Sequence, residues 1–255
     1  MTEQLDKLLI YQHVLKKDKL DIITNKIKPN SSQQVKIDEL IKKREAGMPL
    51  AYVLGKTEFM GIPIRVDEHV LIPRDDTETL VEEVEEYINE NECQTVLEIG
   101  TGSGCIAIKI AKLTNTIVTT IDISKKALRI ARKNAEKNKV KMSFIYADIF
   151  KSLDLGKFDI IVSNPPYIPT KVIEELQPEV KNYEPKLALD GDVDGLKFYR
   201  RIAEVGKDLL NKNGKIFLEI GQYQERDIIK IFEDYKYLGY KKDLAGIIRV
   251  LKFGV

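Results

Sequence analysis

A turn with two consecutive prolines carries the most specific chemistry in this chain. It follows the apolar run Phe158–Val162 and Ser163, and it reads Asn164-Pro165-Pro166-Tyr167. The prolines fix φ and supply no backbone N–H, so the turn is stiff and presents only acceptors. The Asn164 side-chain oxygen and the Pro165 carbonyl can each accept one N–H of a ligand NH₂ group, and Tyr167 can cover a planar group. The turn predicts a pocket for an amide or amine nitrogen; the alternative is a rigid turn without chemistry.

Such a pocket suits group transfer to nitrogen. A carboxamide nitrogen is a poor nucleophile because its lone pair is delocalised into the carbonyl. Acceptors for both hydrogens hold this nitrogen and offset the positive charge that develops on it during attack. In-line placement contributes up to about 7–11 kcal/mol at the well-oriented limit. No metal is expected, since the only cysteines and histidines are Cys93, Cys105, His13 and His69.

A glycine-rich turn with nearby carboxylates marks a second candidate site. The predicted strand ends at Glu98-Ile99, and the turn reads Gly100-Thr101-Gly102-Ser103-Gly104. Glycines allow positive φ and close approach of a ligand to the backbone. Asp122 ends the next predicted strand about twenty residues later, where a carboxylate can accept hydrogen bonds from both ribose hydroxyls. A tight turn beside a solvated acid and a dinucleotide site remain alternatives, although the spacing differs from Gly-x-Gly-x-x-Gly.

The glycine turn resembles the S-adenosylmethionine loop of class I methyltransferases. The resemblance implies that S-adenosylmethionine is the cofactor and that the loop residues Gly100 to Gly104 bind it. Glu98 is then expected near the ligand ammonium group, and Asn164, which borders the same crevice, is also expected to contact the cofactor. Asp148 is expected to bind the adenine amine, and Ile149 to offer its backbone amide and an apolar wall. The alternative role of Asp148 is a helix or turn cap.

Other stretches resemble the release factor glutamine methyltransferases, the HemK-type family. Residues 72–78 are similar to the Ile-Pro-Arg-x-Asp-Thr-Glu signature of that family. The same family pattern appears in Gly47–Tyr52, Glu58-Phe59, Tyr183–Gly191, Asp194–Leu196 and Leu218–Gly221 with Gln224. The resemblance covers nearly the whole chain. Asp75 stands where the family usually has proline, and we expect a small effect from it. Ile149 stands where the family often has an aromatic residue, and we expect weaker stacking on the adenine with an apolar wall retained.

The resemblance implies methyl transfer from S-adenosylmethionine to the glutamine amide in the Gly-Gly-Gln motif of peptide chain release factors. Asn164, Pro165 and Tyr167 are then the expected catalytic residues, and Pro166 and Arg74 join them at the substrate. Arg74 orients the substrate, pairs with an acid near the cofactor, or forms an ion pair that bridges domains. Adenine and guanine amino-methyltransferases of RNA or DNA share the Asn-Pro-Pro-Tyr turn and are the alternative. A non-catalytic binding protein is a third class, which the intact glycine turn disfavours.

The composition predicts a soluble, cytoplasmic protein. The 255 residues include 41 Lys+Arg against 40 Asp+Glu, and 43% are hydrophobic. Proteins that bind nucleic-acid backbones usually have a large basic excess, so no stable nucleic-acid partner is expected. No apolar run approaches the roughly 20 residues that span a bilayer. A signal-peptide core is absent, and two isolated thiols suit a reducing cytosol. We expect a monomer whose partner is the Gly-Gly-Gln loop of a release factor.

Short apolar runs alternate with amphipathic helices from Thr95 onward. The predicted strands are Thr95–Ile99, Ile117–Ile121, Met142–Tyr146, Phe158–Val162 and Lys215–Ile220, and the helices include Lys125–Lys137 and Leu196–Leu210. This alternation predicts an α/β fold of the class I methyltransferase (Rossmann-like) type, with a mostly parallel seven-stranded sheet between helices. The connection from Lys236–Tyr240 to Ile247–Phe253 is too short for a crossover helix, so an antiparallel C-terminal hairpin is expected.

Three regions are predicted along the chain. Residues 1–55 lack strand-like runs and are expected to form a small helical domain that recognises the substrate, with Ser31 or Ser32 capping its second half. Residues 56–76 are expected to be a hairpin linker, in which His69–Ile72 reads as a strand. Residues 77–255 form the predicted methyltransferase domain, and its first helix is expected at Thr77–Glu90.

Overall fold

The N-terminal region is helical in the computed structural model, which describes residues 2–24 and 26–255. Met1 and Asn25 fall inside the predicted helical domain but lie outside the described residues. The helices are α1 (Thr2–Leu15), α2 (Lys19–Ile23), α3 (Ser31–Glu45) and α4 (Leu50–Leu54). The apolar faces of α1, α3 and α4 meet in a small core of Ile10, Ile37, Leu40 and Val53. Burial of these side chains holds short helices that would be marginal alone.

The cap of α3 differs from the prediction. Asn30 is the N-cap, and neither Ser31 nor Ser32 has that role. The Asn30 side chain accepts the Gln33 N–H at 2.9 Å, and the Gln33 side chain accepts the Asn30 N–H at 3.0 Å. This reciprocal pair satisfies two backbone donors at once, which explains why Asn30 is preferred over the serines.

Residues 56–65 form a hairpin of β1 (Lys56–Phe59) and β2 (Ile62–Arg65). The predicted strand at His69–Ile72 is wrong, because side chains bind the backbone of this segment. The Tyr52 hydroxyl donates to the Val70 carbonyl at 2.6 Å, and the Ile72 N–H donates to the Glu184 carboxylate at 3.3 Å. Residues 66–74 therefore form an irregular connection that is held by Tyr52 and Glu184 and contains a turn, in which the Val70 N–H donates to the Asp67 carbonyl at 3.2 Å.

The remainder of the chain alternates strands and helices. A 3₁₀ turn at Asp75–Thr77 leads into it, and another occurs at Lys186–Ala188. The helices are α5 (Glu78–Glu90), α6 (Cys105–Leu113), α7 (Lys125–Lys137), α8 (Thr170–Ile173), α9 (Pro178–Tyr183), α10 (Lys197–Leu209) and α11 (Glu225–Ile231). The strands are β3 (Thr95–Ile99), β4 (Ile117–Asp122), β5 (Ser143–Tyr146), β6 (Phe158–Ser163), β7 (Leu210–Glu219), β8 (Lys236–Lys242) and β9 (Ile248–Gly254).

Across the described residues, these strands form a seven-stranded sheet in the order β5-β4-β3-β6-β7-β9-β8. The strands β3 to β7 pair in parallel, and β9 is antiparallel to both β7 and β8. The predicted fold class and C-terminal hairpin are confirmed. The strand order reverses between β3 and β6, and ligands of open α/β sheets bind at such a switch point, beyond the carboxyl ends of the strands.

The sheet is stable because both of its faces are covered. The central strands β3 and β6 are buried along nearly their whole length, as their continuous apolar sequences require. Helices α5, α6 and α7 pack on one face, and α10 and α11 pack on the other. Within residues 2–24 and 26–255, no helix is long and apolar enough to cross a membrane.

Candidate active site

One cavity of about 460 Å³ opens beyond the carboxyl ends of β3, β4 and β6. Its walls include most of the predicted site residues, which are Arg74, Gly100, Thr101, Gly102, Ser103, Asp122, Asp148, Ile149, Asn164, Pro165 and Pro166. The predicted residues outside its lining are Glu98, Gly104 and Tyr167. The fold thus brings the glycine turn and the proline turn to one space, while the role of each residue remains a prediction.

Asp122 is fixed at the cavity by the backbone of two loops. Its carboxylate accepts the Gly102 N–H at 2.9 Å and the Ser124 N–H at 2.7 Å. Burial raises the pKa of Asp122, and these two N–H groups act against that rise. Each oxygen keeps a further lone pair, so the group can still accept hydrogen bonds from a ligand diol.

Gly104 serves packing behind the loop. It has φ of +81°, and a Cβ there would lie 2.9 Å from the Cβ of Ala131 in α7. Only glycine allows this contact and this backbone conformation together. The buried Asn134 side chain, also from α7, donates to the Ser103 carbonyl at 2.8 Å and binds the Arg65 backbone in both directions. The hairpin β1–β2 and the glycine turn are thereby held against α7.

Glu98 is buried behind the glycine turn, with only 1% of the residue exposed. Its Oε2 accepts from the Thr120 hydroxyl, whose oxygen lies 2.6 Å from the Thr101 hydroxyl oxygen. Burial raises the pKa of Glu98 to about 8, against the hydrogen bond from Thr120. This geometry supports Thr101 from below. Contact between Glu98 and a ligand ammonium group stays a prediction.

The far end of the cavity has an aromatic wall that the sequence analysis missed. Asp148 accepts the Phe150 N–H at 3.0 Å, and Ile149 is buried beside it. The Phe150 ring meets Phe198 edge-on at 5.4 Å, and both rings line the cavity. The family pattern has its aromatic residue at position 149, which is Ile149 in this chain. Phe150, the next residue, supplies a ring instead. The sequence signal was the pair Ile149-Phe150 itself.

Asn164 is anchored through its amide nitrogen. Its Nδ2 donates to the hydroxyl of Thr77 at 3.2 Å, and Thr77 is buried. The hydroxyl of Ser163, just before it, donates to the Ile99 carbonyl at 2.7 Å, which joins the ends of β6 and β3. With the nitrogen bound to Thr77, the Asn164 oxygen is left as the acceptor that the amide can present to a ligand.

Tyr167 is the last residue of the proline turn and does not line the cavity. Its carbonyl accepts from the Gln224 side chain at 3.0 Å, and Gln224 in turn accepts the Gly221 N–H at 2.9 Å. Burial raises the pKa of the Tyr167 hydroxyl to about 12. Gln224 therefore ties the turn to the end of β7. The expected role of Tyr167 as a cover over the substrate remains a prediction.

Residues 74–78 form ion pairs or hydrogen bonds with four different parts of the molecule. Arg74 pairs with the buried Glu184, and Asp76 pairs with Arg249 of β9 at 2.7 Å. Thr77 binds Asn164, as above. Glu78 accepts the Met60 N–H at 3.2 Å. Arg74 thus forms an ion pair with the loop that follows the proline turn, and its contact with substrate stays a prediction.

Sequence reasoning assigned no contacts around the cavity to Thr77, Glu184 or Glu219. All three lie within stretches that matched the family pattern, and that pattern was the only signal for them. Position along the chain does not predict their contacts, because Thr77 and Asn164 are 87 residues apart and Arg74 and Glu184 are 110 apart. Among the described residues, no group of three His, Cys, Asp or Glu side chains could hold a metal ion.

The helical N-terminal region contacts the segment after the proline turn. Arg44 of α3 pairs with Asp6 at 2.6 Å and with Glu179 of α9 at 2.7 Å. The Tyr183 hydroxyl donates to the Ala46 carbonyl at 2.7 Å. These contacts place the N-terminal helices beside the loop that carries Glu184, next to the cavity.

Comparison with known proteins gives the same picture over the whole chain. A family model described as PrmC N-terminal domain matches residues 1–55, and one described as Methyltransferase small domain matches residues 75–178. The chain is 41% identical to a release factor glutamine methyltransferase of Fusobacterium nucleatum, over 97% of this chain and 72% of the relative. It is 42% identical to one of Thermodesulfovibrio yellowstonii, over 94% and 88%.

A solved structure supports the fold. The crystal structure of a methyltransferase from Pyrococcus furiosus resembles this chain with a TM-score of 0.56 and 22% identity. The match covers 88% of this chain and 98% of that one. At this level of identity the likeness shows the fold alone.

Proposed function

This chain belongs to the release factor glutamine methyltransferase family, and we propose that it methylates a glutamine side-chain amide nitrogen in the Gly-Gly-Gln motif of a peptide chain release factor. The methyl donor is S-adenosylmethionine. The observation that carries the proposal is the anchored amide of Asn164, which lies in one cavity with the glycine turn and Asp122.

The residues around the cavity fit this cofactor. Gly100 and Gly102 leave the space in front of the turn free, since a Cβ at either would meet nothing within 4 Å. Asp122 can bind the ribose hydroxyls, Asp148 the adenine amine, and Ile149 and Phe150 the ring faces. When bound, S-adenosylmethionine supplies an electrophilic methyl group on a sulfonium. The chain itself supplies position and electrostatics.

The proline turn can bind the acceptor amide. Asn164 Oδ1 and the Pro165 carbonyl would each accept one hydrogen of the glutamine NH₂ group. Two acceptors orient the nitrogen and stabilise the positive charge that grows on it as its lone pair attacks. Pro165 and Pro166 have no N–H to compete for these positions. Because the glutamine side chain is slim, it suits a narrow space between the turn and the cofactor site.

The N-terminal helices would hold the remainder of the release factor. They lie beside α9 and the Glu184 loop, so a partner bound to them extends toward the cavity mouth. Arg74 lines that mouth, and its side chain is 38% exposed although it is paired with Glu184. It can therefore orient the incoming loop while the ion pair keeps it in place.

Transfer of a labelled methyl group tests this function. The protein is incubated with labelled S-adenosylmethionine and a release factor, with the same factor carrying Gln→Ala in its Gly-Gly-Gln motif, or with cellular RNA. We expect label only on the release factor whose Gly-Gly-Gln motif is intact. Label on RNA that weakens steeply with salt would instead support a nucleic-acid amino-methyltransferase. Label on the Gln→Ala factor would place the modified atom elsewhere.

A further inference from the structure

The carboxyl group of Glu219 lies behind the proline turn and does not line the cavity. Glu219 ends β7 and is 1% exposed. Its Oε2 accepts no hydrogen bond from any described residue. Buried carboxyl groups usually have partners, and those with incomplete partners concentrate at functional sites. The proposed contacts with cofactor and substrate do not involve this carboxyl group.

Two residues of the active site lie close enough to this carboxyl group to lower its pKa. Burial raises the pKa of Glu219 to about 7, against the lowering effects of the hydrogen-bonding Thr77 side chain, of Arg249 and of the Asn164 side chain. Thr77 also accepts the hydrogen bond from Asn164 Nδ2. Glu219, Thr77 and Asn164 therefore form one contiguous polar cluster from β7 to the proline turn.

The other charged or titratable groups around Glu219 are already engaged. Arg249 of β9 binds Asp76 at 2.7 Å and Asp243 at 2.8 Å, so two other carboxylates share its guanidinium. Asp76 raises the pKa of Glu219, and the neighbouring Tyr167 is held neutral by its own burial. The Tyr199 hydroxyl of α10 donates to the Glu219 main-chain carbonyl at 2.8 Å. Burial raises the pKa of Cys105, the other titratable neighbour, to about 12 and keeps it neutral. No described cation forms an ion pair with Glu219.

The protonation state of Glu219 decides how the Thr77 hydroxyl is used. A threonine hydroxyl has one proton to donate and two lone pairs. An ionised Glu219 can only accept, so the Thr77 proton turns toward it and a lone pair faces Asn164 Nδ2. A protonated Glu219 can donate to one Thr77 lone pair instead, and the Thr77 proton released in this way can bind the Asn164 oxygen. The amide of Asn164 is then free to rotate, and its NH₂ group can face the acceptor.

We propose that Glu219 is a positioning residue that acts through Thr77 to hold the Asn164 oxygen toward the acceptor nitrogen. Its negative charge, set behind the amide, also favours the positive charge that develops on that nitrogen. The inference rests on the proposed function for the identity of the acceptor. The orientation of Asn164 is a property of this chain alone and can be measured without substrate.

The first test is the pH profile of turnover for Glu219→Gln. The wild-type kcat should rise as the pH increases through about 7, because the ionised carboxylate is the form that orients Asn164. The variant should lose this step, and its kcat at high pH should be about tenfold below that of the wild type. Removal of a group that hydrogen-bonds directly to the reacting atoms typically costs about 10²- to 10³-fold, which is a larger loss. The affinity for S-adenosylmethionine should change less than about twofold, since Glu219 does not line the cavity.

The matched control is Glu83→Gln. Glu83 is also a buried carboxylate, but it binds Lys241 and Lys252, both at 2.7 Å. This variant should keep both the kcat and the step near pH 7. A separate step that persists near pH 8 in Glu219→Gln would belong to Glu98. If Glu219→Gln retains the step and a kcat within about twofold of wild type, the proposal is overturned.

The second test needs no release factor. The side-chain NH₂ signals of Asn164 are identified in an NMR spectrum by their loss in Asn164→Ala. They should shift with pH through about 7 in the wild type and stay constant in Glu219→Gln. A wild-type shift without release factor methylation would refute the proposed function and keep this inference. Methylation with an invariant Asn164 signal would refute the inference alone.

Discussion

At the scale of single residues, we propose that the site works by arranging acceptors around one nitrogen. Asn164 is held by Thr77 on its nitrogen side, so its oxygen is committed to the ligand. Asp122 is held by two backbone N–H groups, so its carboxylate is committed to the cofactor side. The two residues therefore make separable contributions to catalysis and to cofactor binding.

Alanine at these two positions should give opposite kinetic signatures. Asn164→Ala should lower kcat by about 10²- to 10³-fold, as loss of one preorganised polar group does, and leave the Kd for S-adenosylmethionine within severalfold. Asp122→Ala should chiefly raise that Kd. Turnover and isothermal titration on both variants make the comparison. Equal losses of kcat and affinity in Asn164→Ala would mean that Asn164 serves the cofactor or the fold.

Most of the site residues predicted from the sequence line the cavity, but the sequence did not predict what holds them in place. The motifs around Gly100 and Asn164 are local, so their chemistry can be inferred from spacing and proline content. The contact between Thr77 and Asn164, and the pair of Arg74 with Glu184, join segments that only the folded sheet brings together. The aromatic wall was missed because Phe150 stands one position beyond the expected one.

At the scale of elements, the position of the proline turn depends on close backbone packing. Gly195 precedes α10 with φ of +76°, and a Cβ there would lie 2.3 Å from the Tyr167 carbonyl oxygen. The Gln224 side chain binds the same carbonyl. The loop before α10 and the end of β7 thus fix the turn from two sides.

Gly195→Ala should displace the proline turn, and Gly156→Ala is its matched control. Gly156 has nearly the same φ, +77°, but a Cβ there would meet nothing within 4 Å. In chemical unfolding, the free energy of unfolding of the control should therefore fall only by about 1–2 kcal/mol, which is the cost of a left-handed backbone for alanine. Gly195→Ala should lower the free energy of unfolding by more than the control does, and its kcat should fall to a small fraction of the wild-type value. Equal stability and activity in the two variants would contradict the close-packing argument.

Elements with a clear period were predicted well from the sequence. The strand Thr95–Ile99 and the helix Lys125–Lys137 have the expected bounds. The segment His69–Ile72 is apolar like a strand, but Tyr52 and Glu184 take up its backbone groups. Strand β7 begins at Leu210 instead of Lys215, across a register shift in its pairing with β6. Such tertiary hydrogen bonds leave no periodic trace in the sequence.

At the scale of the whole molecule, the segment from Glu179 to Glu184 is held between two regions. Arg44 and Ala46 of the N-terminal region bind Glu179 and Tyr183, and Glu184 follows at once with its pair to Arg74. A release factor bound by the N-terminal helices would therefore lie close to the segment that shapes the cavity mouth. The limits of the three predicted regions remain predictions, although a family model ends at residue 55 as the first of them does.

A crystal structure of the protein with S-adenosylhomocysteine and a release factor tests the central claim most directly. We predict that the glutamine side-chain nitrogen lies within hydrogen-bond distance, about 3 Å, of both Asn164 Oδ1 and the Pro165 carbonyl oxygen. Its open side should face the sulfur of the product cofactor. A complex in which the turn faces away from that sulfur, with no carboxamide between them, would contradict the account.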